Sequence, residues 1–133
     1  MKVLKKIEIT RDLVDSYASL TGDRNPIHLN EDYARRSSFG KCIAHGMLLS
    51  SFFSTVIASE YPGEGSIYLT QDIKFLKPCF VGEWITVKIE LMEEIKKTNS
   101  TIYKLSTQIL NTDNDVLIDG GATVFLSNQN RIS

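Results

Sequence analysis

The chain has 133 residues, the size of one ordinary globular domain. Its hydrophobic fraction of 42% and charged fraction of 23% are typical of a soluble globular protein, and its net charge of −1 provides no basic field for nucleic acid. We therefore expect a single domain over residues 1–133 with no nucleic-acid partner.

Cysteine usage and hydropathy bound the compartment. Cys42 and Cys79 are too few for a disulfide scaffold and lack metal-ligand spacing. The first six residues lack the apolar core and cleavage site of a signal peptide, and no stretch is apolar enough to cross a bilayer. The sequence thus predicts a cytoplasmic protein with reduced thiols and no membrane association.

The chain begins with weakly alternating residues that predict a short edge strand over Val3–Thr10. A helix follows, which Thr10 is placed to cap and Gly22 is suited to end, with Asp12 favouring its first turn. Apolar residues recur at helical spacing and predict one buried stripe. The stripe comprises Leu13, Val14, Tyr17 and Leu20.

Asp23 and His28 lie five residues apart, on either side of an Asn25-Pro26 step. Because Asn-Pro favours a turn, we expect an irregular segment that aims both side chains at one point, before another short helix begins at Asn30. A carboxylate beside an imidazole is the minimum set for general acid–base catalysis. The alternative is a plain turn with a surface histidine, since these residue types are common in turns.

Apolar residues then cover more than one face of the segment 44–58, which predicts a largely buried helix. The first turn of this helix is different. Backbone amides near Gly46 have no partner within the helix and carry the positive end of its dipole. Gly46 also has no side chain to keep a ligand away, so its amide is a candidate oxyanion donor.

From Gly65 onward, the pattern predicts antiparallel strands with short polar connections. Gly120-Gly121 indicates a bulge or a close backbone contact in the last strand, and the polar tail after Ser127 is expected to fray. A buried helix followed by such a sheet is an α+β arrangement. The strands are expected over Ile67–Phe75, Trp84–Leu91, Tyr103–Ile109 and Val116–Leu126.

The segment from Tyr17 to Ala34 closely resembles the hydratase signature of the MaoC-like hotdog family, which includes (R)-specific enoyl-CoA hydratases. The match rests on Tyr17, the run Leu20-Thr21-Gly22-Asp23, the run Asn25-Pro26-Ile27-His28 and Ala34, while Arg24 occupies a variable position. Residues 44–47 and 65–68 also match motifs of the family. The resemblance implies a hotdog fold, with a curved antiparallel sheet wrapped around the helix Gly46–Ser59.

The same resemblance implies that Asp23 and His28 catalyse reversible hydration of a trans-2-enoyl thioester to the (R)-3-hydroxyacyl thioester. Gly46 would bind the thioester oxygen, with Asn25 and Ser66 in the substrate-binding set. Ser66 would orient His28, or else is only a polar residue at a strand start. No metal or other cofactor is implied, the substrate is carried by coenzyme A or acyl carrier protein, and a homodimer is expected.

Other interpretations remain open at this stage. A non-catalytic hotdog subunit would have no need of both Asp23 and His28, and this motif is not typical of hotdog thioesterases. His45 is expected to cap or pack rather than to catalyse. Several basic residues either meet the phosphates of coenzyme A or form ordinary surface charge. They are Lys74, Lys77, Arg35, Arg36 and Lys41.

Overall fold

The first half of the chain is mainly helical and the second half is made of strands, as the sequence predicts. The computed structural model describes residues 1–128, so most of the tail expected to fray lies outside the described residues. The helices are α1 (Arg11–Thr21), α2 (Pro26–Leu29), α3 (Glu31–Arg35) and α4 (Gly46–Ser59). The strands are β1 (Lys2–Glu8), β2 (Ile67–Gln71), β3 (Lys74–Phe75), β4 (Trp84–Lys96), β5 (Ser100–Leu110) and β6 (Val116–Ser127).

Within residues 1–128, six strands form one antiparallel sheet in the order β1-β4-β5-β6-β2, and β3 also pairs with β6. Alternate side chains of β4 and β5, such as Ile85, Ile89 and Ile109, are buried, since successive residues of a strand point to opposite faces. β1 lies at one edge, as predicted. The expected curved antiparallel sheet with a central helix is confirmed.

Helix α4 supplies the centre of the hydrophobic core. Phe53 is fully buried, and Leu49, Val56 and Ile57 are buried beside it. Burying one such side chain stabilises the fold by about 1.5–3 kcal/mol. The prediction of a largely buried helix is confirmed, and its packing places the first turn, at Gly46, at a fixed position over the sheet.

Helix α1 begins and ends as predicted, but its buried stripe is different. Thr10 Oγ1 accepts a hydrogen bond from the Leu13 amide at 3.1 Å, and Gly22 ends the helix with a φ of 82°. Val14 and Ala18 are buried, the predicted Leu13 and Tyr17 are partly buried against the core, and Leu20 is 85% exposed. Placing Leu20 in the stripe was therefore wrong, because two residues beyond Ala18 lie about 200° further round a helix.

The strand expected over Ile67–Phe75 is interrupted between β2 and β3. Here Asp72 turns its backbone toward β6, and its amide donates to the Gly121 carbonyl at 3.0 Å. A Cβ at Gly120 would lie 1.9 Å from the Asp72 carbonyl oxygen, so only glycine fits there. The close backbone contact predicted at Gly120-Gly121 is confirmed, and this contact explains why the strand is divided.

Candidate active site

Asp23 lies directly after the end of α1, on an exposed loop. Its backbone amide donates to Thr21 Oγ1 at 3.2 Å, and its backbone carbonyl accepts from His45 Nε2 at 2.9 Å. The backbone amide and the backbone carbonyl of Asp23 are thus both hydrogen-bonded, which holds the loop in place. Its carboxylate stays accessible.

His28 lies on the single helical turn α2. The sequence analysis predicted an irregular segment here, and that prediction was wrong. Asn25 begins this turn as its N-cap, with Oδ1 accepting from the Ile27 amide at 3.3 Å, and Pro26 occupies the first helical position, where its missing N–H costs nothing. The Asn25 cap and the fixed φ of Pro26 are the local interactions that favour this single turn. Asp23 precedes the cap, so the two candidate catalytic residues still belong to different local structures.

The imidazole of His28 has a fixed orientation. Its Nδ1 lies 2.7 Å from the carbonyl oxygen of Ile43, and because a carbonyl can only accept, Nδ1 carries the proton. Ile43 is itself held by an antiparallel bridge to Phe80. In the neutral ring, the lone pair is therefore on Nε2, which is the arrangement needed for a base.

The surroundings favour this neutral ring. Burial lowers the pKa of His28 below its ordinary 6.5, and nearby His45 adds to that lowering. The hydrogen bond to Ile43 and the charge of Asp23 act in the opposite direction without reversing the shift. His28 is consequently able to accept a proton throughout the neutral pH range.

His45, expected from the sequence to cap or pack, joins the two residues. Its ring is 2% exposed, and its centroid lies 3.8 Å from that of His28 with 29° between the planes. Tyr17 contacts its ring too, with centroids 4.7 Å apart. The side chain makes no capping hydrogen bond to α4. Only its position before a helix-starting glycine hinted at a role in the sequence.

Donor atoms of Asp23, His28 and His45 lie within 4.8 Å of one another, which raises the question of a metal ion. The nitrogen Nε2 of His45 is already engaged with the Asp23 carbonyl, so His45 could offer an ion only its buried Nδ1. This geometry suits a water molecule between Asp23 and His28 better than a shared ion. That no metal or cofactor is needed stays a prediction.

Gly46 begins α4, and the first backbone bond of the helix runs from the Leu49 amide to the His45 carbonyl at 3.3 Å. The amides of the first turn, including that of Gly46, are thus available to a ligand. The ring of Phe75 lies against Gly46, where a Cβ would be 2.5 Å from Phe75 Cε1. The sequence pattern gave no indication of this contact, since Phe75 is 29 residues away in the chain.

A mainly apolar pocket of about 310 Å³ lies beside part of the site. Its wall includes His28 and Gly46 at the site and Lys77 among the outer residues. A ligand in this pocket would contact both the imidazole and the start of α4. The remaining lining residues are Phe39, Ile43, Ala44, Leu49, Phe75, Leu76, Pro78, Cys79, Leu117 and Ile118.

Three residues of the predicted set, Asp23, Asn25 and Ser66, do not line this pocket. The hydroxyl and amide of Ser66 both donate to the Gly63 carbonyl and close the turn before β2. The orientation of His28 is instead set by Ile43 and His45. The Asn25 side chain is engaged as the cap of α2, so its contribution is to hold His28 in place.

Three of the basic residues considered for coenzyme A make local contacts with their side chains. Lys77 lies 3.4 Å from Asp115, and Arg35 lies 2.9 Å from Asp32. Lys41 lies over the ring of Phe80. These exposed interactions fit the surface-charge interpretation, while Lys77 also borders the pocket.

Over residues 1–128, no helix has the length and apolarity needed to cross a membrane.

Several known proteins are similar to this chain in sequence and in fold. The family described as MaoC like domain matches residues 1–113. The chain is 37% identical over 123 residues to a 3-hydroxybutyryl-CoA dehydratase of Methylorubrum extorquens, covering 92% of this chain and 76% of that protein. It is 36% identical over 115 residues to the mitochondrial 3-hydroxyacyl-[acyl-carrier-protein] dehydratase FERN of Solanum lycopersicum, covering 86% and 68%.

Among solved structures, the (R)-hydratase of Aeromonas caviae involved in PHA biosynthesis superimposes with a TM-score of 0.89 at 34% identity, covering 95% of this chain and 94% of the other. This likeness confirms the hotdog fold. Relatives at this level of identity are hydratases and dehydratases, and the chain is accordingly a hydro-lyase. With the family match spanning most of its length, the chain belongs to the MaoC-like domain family.

Proposed function

We propose that the chain catalyses the reversible hydration of a trans-2-enoyl-CoA to the (R)-3-hydroxyacyl-CoA, with Asp23 and His28 activating the water. The observation that carries this proposal is the fixed tautomer of His28, which leaves Nε2 as an acceptor, together with the accessible carboxylate of Asp23 within 4.8 Å of a nitrogen of this ring. The relatives of this chain are named as dehydratases of 3-hydroxyacyl thioesters or as an (R)-hydratase. That agreement supports the reaction class.

One water molecule can donate one hydrogen bond to the Asp23 carboxylate and the other to His28 Nε2. Held in this way, its oxygen attacks C3 of the enoyl chain as the pair takes up one proton, and a proton is delivered to C2. The hydroxyl thus ends on C3 and the hydrogen on C2, with no net change in the enzyme. Alignment of this kind contributes much of the rate of an enzyme.

Negative charge develops on the thioester oxygen as water attacks. The Gly46 amide, at the positive end of α4, is the donor we assign to that oxygen. A donor aimed at developing charge commonly contributes about two to three orders of magnitude in rate. The pocket beside Gly46 would receive the thioester.

Acyl carrier protein as the carrier is the second candidate, favoured by the tomato relative that acts on 3-hydroxyacyl-[acyl-carrier-protein]. A thioesterase has less support because the relatives are dehydratases, and a non-catalytic subunit would have no need of both Asp23 and His28. We also propose a homodimer. β2 is a sheet edge with exposed Ile67 and Leu69, which a second copy would cover.

Incubation with crotonyl-CoA and, in parallel, crotonyl-acyl carrier protein tests these assignments. Absorbance of the conjugated double bond and release of free thiol are followed together. We expect the absorbance to fall without thiol release, faster with the preferred carrier. Thiol release would indicate a thioesterase, and no change with either substrate would indicate a non-catalytic protein.

A further inference from the structure

His45 is a buried imidazole that the proposed mechanism does not use. It is 2% exposed and lies between the loop that carries Asp23 and the ring of His28. It also immediately precedes Gly46, the proposed oxyanion donor. One side chain therefore contacts or adjoins every group to which the mechanism assigns a role.

The hydrogen bonds give the two imidazoles opposite tautomers. His45 Nε2 faces the carbonyl oxygen of Asp23 at 2.9 Å, so Nε2 carries the proton. His28 instead carries its proton on Nδ1, facing Ile43. The His45 ring is thus committed to the backbone of one candidate catalytic residue and stacked on the side chain of the other.

A purely structural role explains this arrangement poorly. His45 Nδ1 is buried and has no hydrogen-bond partner among the described residues, which is unfavourable for a polar atom. The side chain does not offset this by capping α4. An apolar side chain would fill the same space between Tyr17 and His28 without an unpartnered nitrogen. Compared with an apolar side chain, the imidazole of His45 adds one interaction, the hydrogen bond that its Nε2 donates to the Asp23 carbonyl.

We propose that His45 is a positioning residue that holds the Asp23 backbone and the His28 ring in register for the water they share. The inference rests on the proposed hydration. It gives His45 no direct contact with substrate, and its effect passes entirely through Asp23 and His28.

The positioning role of His45 can be measured through the pKa of His28, which depends on the groups around the two imidazoles. The groups that face His28 are His45 from the start of α4, Asp23 from the preceding loop and Arg11 from α1, and Tyr17 packs on the far side of His45. His45 and burial both lower the pKa of His28. Removing the His45 ring should therefore move that pKa upward, toward the ordinary 6.5.

Two substitutions separate the donor from the ring. His45→Gln retains an N–H that can reach the Asp23 carbonyl but loses the stacking, and His45→Phe retains a ring but loses the donor. Thr107→Val is the matched control, because Thr107 is a fully buried polar residue of β5 with one side-chain hydrogen bond, from Gln71. It should cost stability without affecting Asp23 or His28.

Kinetics on crotonyl-CoA provide the first readout. Each His45 variant should lower kcat roughly tenfold with little change in KM, as expected for a small misplacement of reacting groups. The acid limb of the kcat/KM profile should move to higher pH in both, and Thr107→Val should retain the wild-type limb. Wild-type kcat together with an unmoved limb in both His45 variants would overturn the proposal.

Imidazole ¹⁵N NMR of the free protein provides a readout besides activity, and it is simple because the chain has two histidines. The wild type should show one ring protonated on Nδ1 and one on Nε2, and the single remaining histidine of each variant should titrate at higher pH than His28 does in the wild type. Two rings of the same tautomer, or an unchanged titration, would overturn the proposal. A wild type inactive on crotonyl thioesters would instead refute the proposed function, leaving this spectroscopic test intact.

Discussion

The ring of Phe75 lies against the α-carbon of Gly46, so close that a Cβ on Gly46 would be 2.5 Å from Phe75 Cε1. With Phe75 in this position, residue 46 has no room for a side chain. Phe75 is 56% exposed, so its ring has room to move outward if it is displaced.

Gly46→Ala should lower kcat/KM about tenfold or more, because displaced Phe75 would narrow the thioester site beside the amide. Stability should change little, since alanine favours a helix over glycine by up to about 1 kcal/mol, which offsets the adjustment. Combining the change with Phe75→Leu should restore part of the activity, and Phe75→Leu alone is the control. Alanine retains the backbone N–H, so wild-type kcat/KM in Gly46→Ala would contradict the claim that the thioester site needs a residue without a side chain at this position.

Asp23→Asn and His28→Ala should each reduce hydration by about two to four orders of magnitude. The first replaces the carboxylate by a neutral amide that cannot take up a proton, and the second removes the imidazole that accepts from the attacking water. Thermal unfolding should stay close to wild type for Asp23→Asn, whose carboxylate is accessible. His28→Ala loses the hydrogen bond to Ile43, worth about 1 kcal/mol. Asp12→Asn, an exposed carboxylate of α1, is the control. If either site variant kept most of its activity, the assigned pair would be wrong.

The pH dependence of kcat/KM should show an acid limb below 6.5. Burial lowers the pKa of His28, so the ring stays neutral and able to accept a proton until the pH falls through that lowered value. The unfolded chain, with a pKa near 6.5, binds the proton first, so the stability contribution of this group is present above 6.5 and is lost as pH falls. Initial rates and chemical unfolding between pH 4.5 and 8 measure both effects. An acid limb above 6.5 would contradict this assignment.

The product from crotonyl-CoA should be (R)-3-hydroxybutyryl-CoA. Asp23 and His28 hold water on one side of the enoyl chain, and the Gly46 amide keeps the thioester oxygen in place, so the acyl plane cannot turn to offer its other face. Coupling the reaction to dehydrogenases specific for each enantiomer tests this directly. A signal with the (S)-specific enzyme alone would refute the proposed geometry.

The protein should sediment as a dimer at micromolar concentration. Leu69→Lys, on the exposed edge strand β2, should shift the distribution toward monomer, because it places charge on the apolar edge that a second copy would cover. Leu4→Lys is a matched control, since Leu4 is about equally exposed at the opposite edge of the sheet, in β1. A wild-type monomer, or equal effects of both substitutions, would contradict an interface at β2.

Features that depend on near neighbours in the chain could be predicted from the sequence alone. The cap of α1 at Thr10 and its end at Gly22 both follow from interactions within a few residues. The alternation in β4 and β5 follows from the two-residue period of a strand. Asp23 and His28 belong to one dense local motif, so the sequence alone is enough to indicate both as candidate catalytic residues.

Contacts between distant segments were decided only by the tertiary structure. Ile43 selects the tautomer of His28 from 15 residues away, and Phe75 closes over Gly46 from 29 residues away. The stacking of His45 on His28 and the exposure of Leu20 likewise depend on how the helices lie against the sheet. Periodicity describes which face of an element is apolar, but it contains no information on which atom of another element will meet that face. The sequence therefore determined the elements and the reactive residue types, and tertiary packing determined their protonation and alignment.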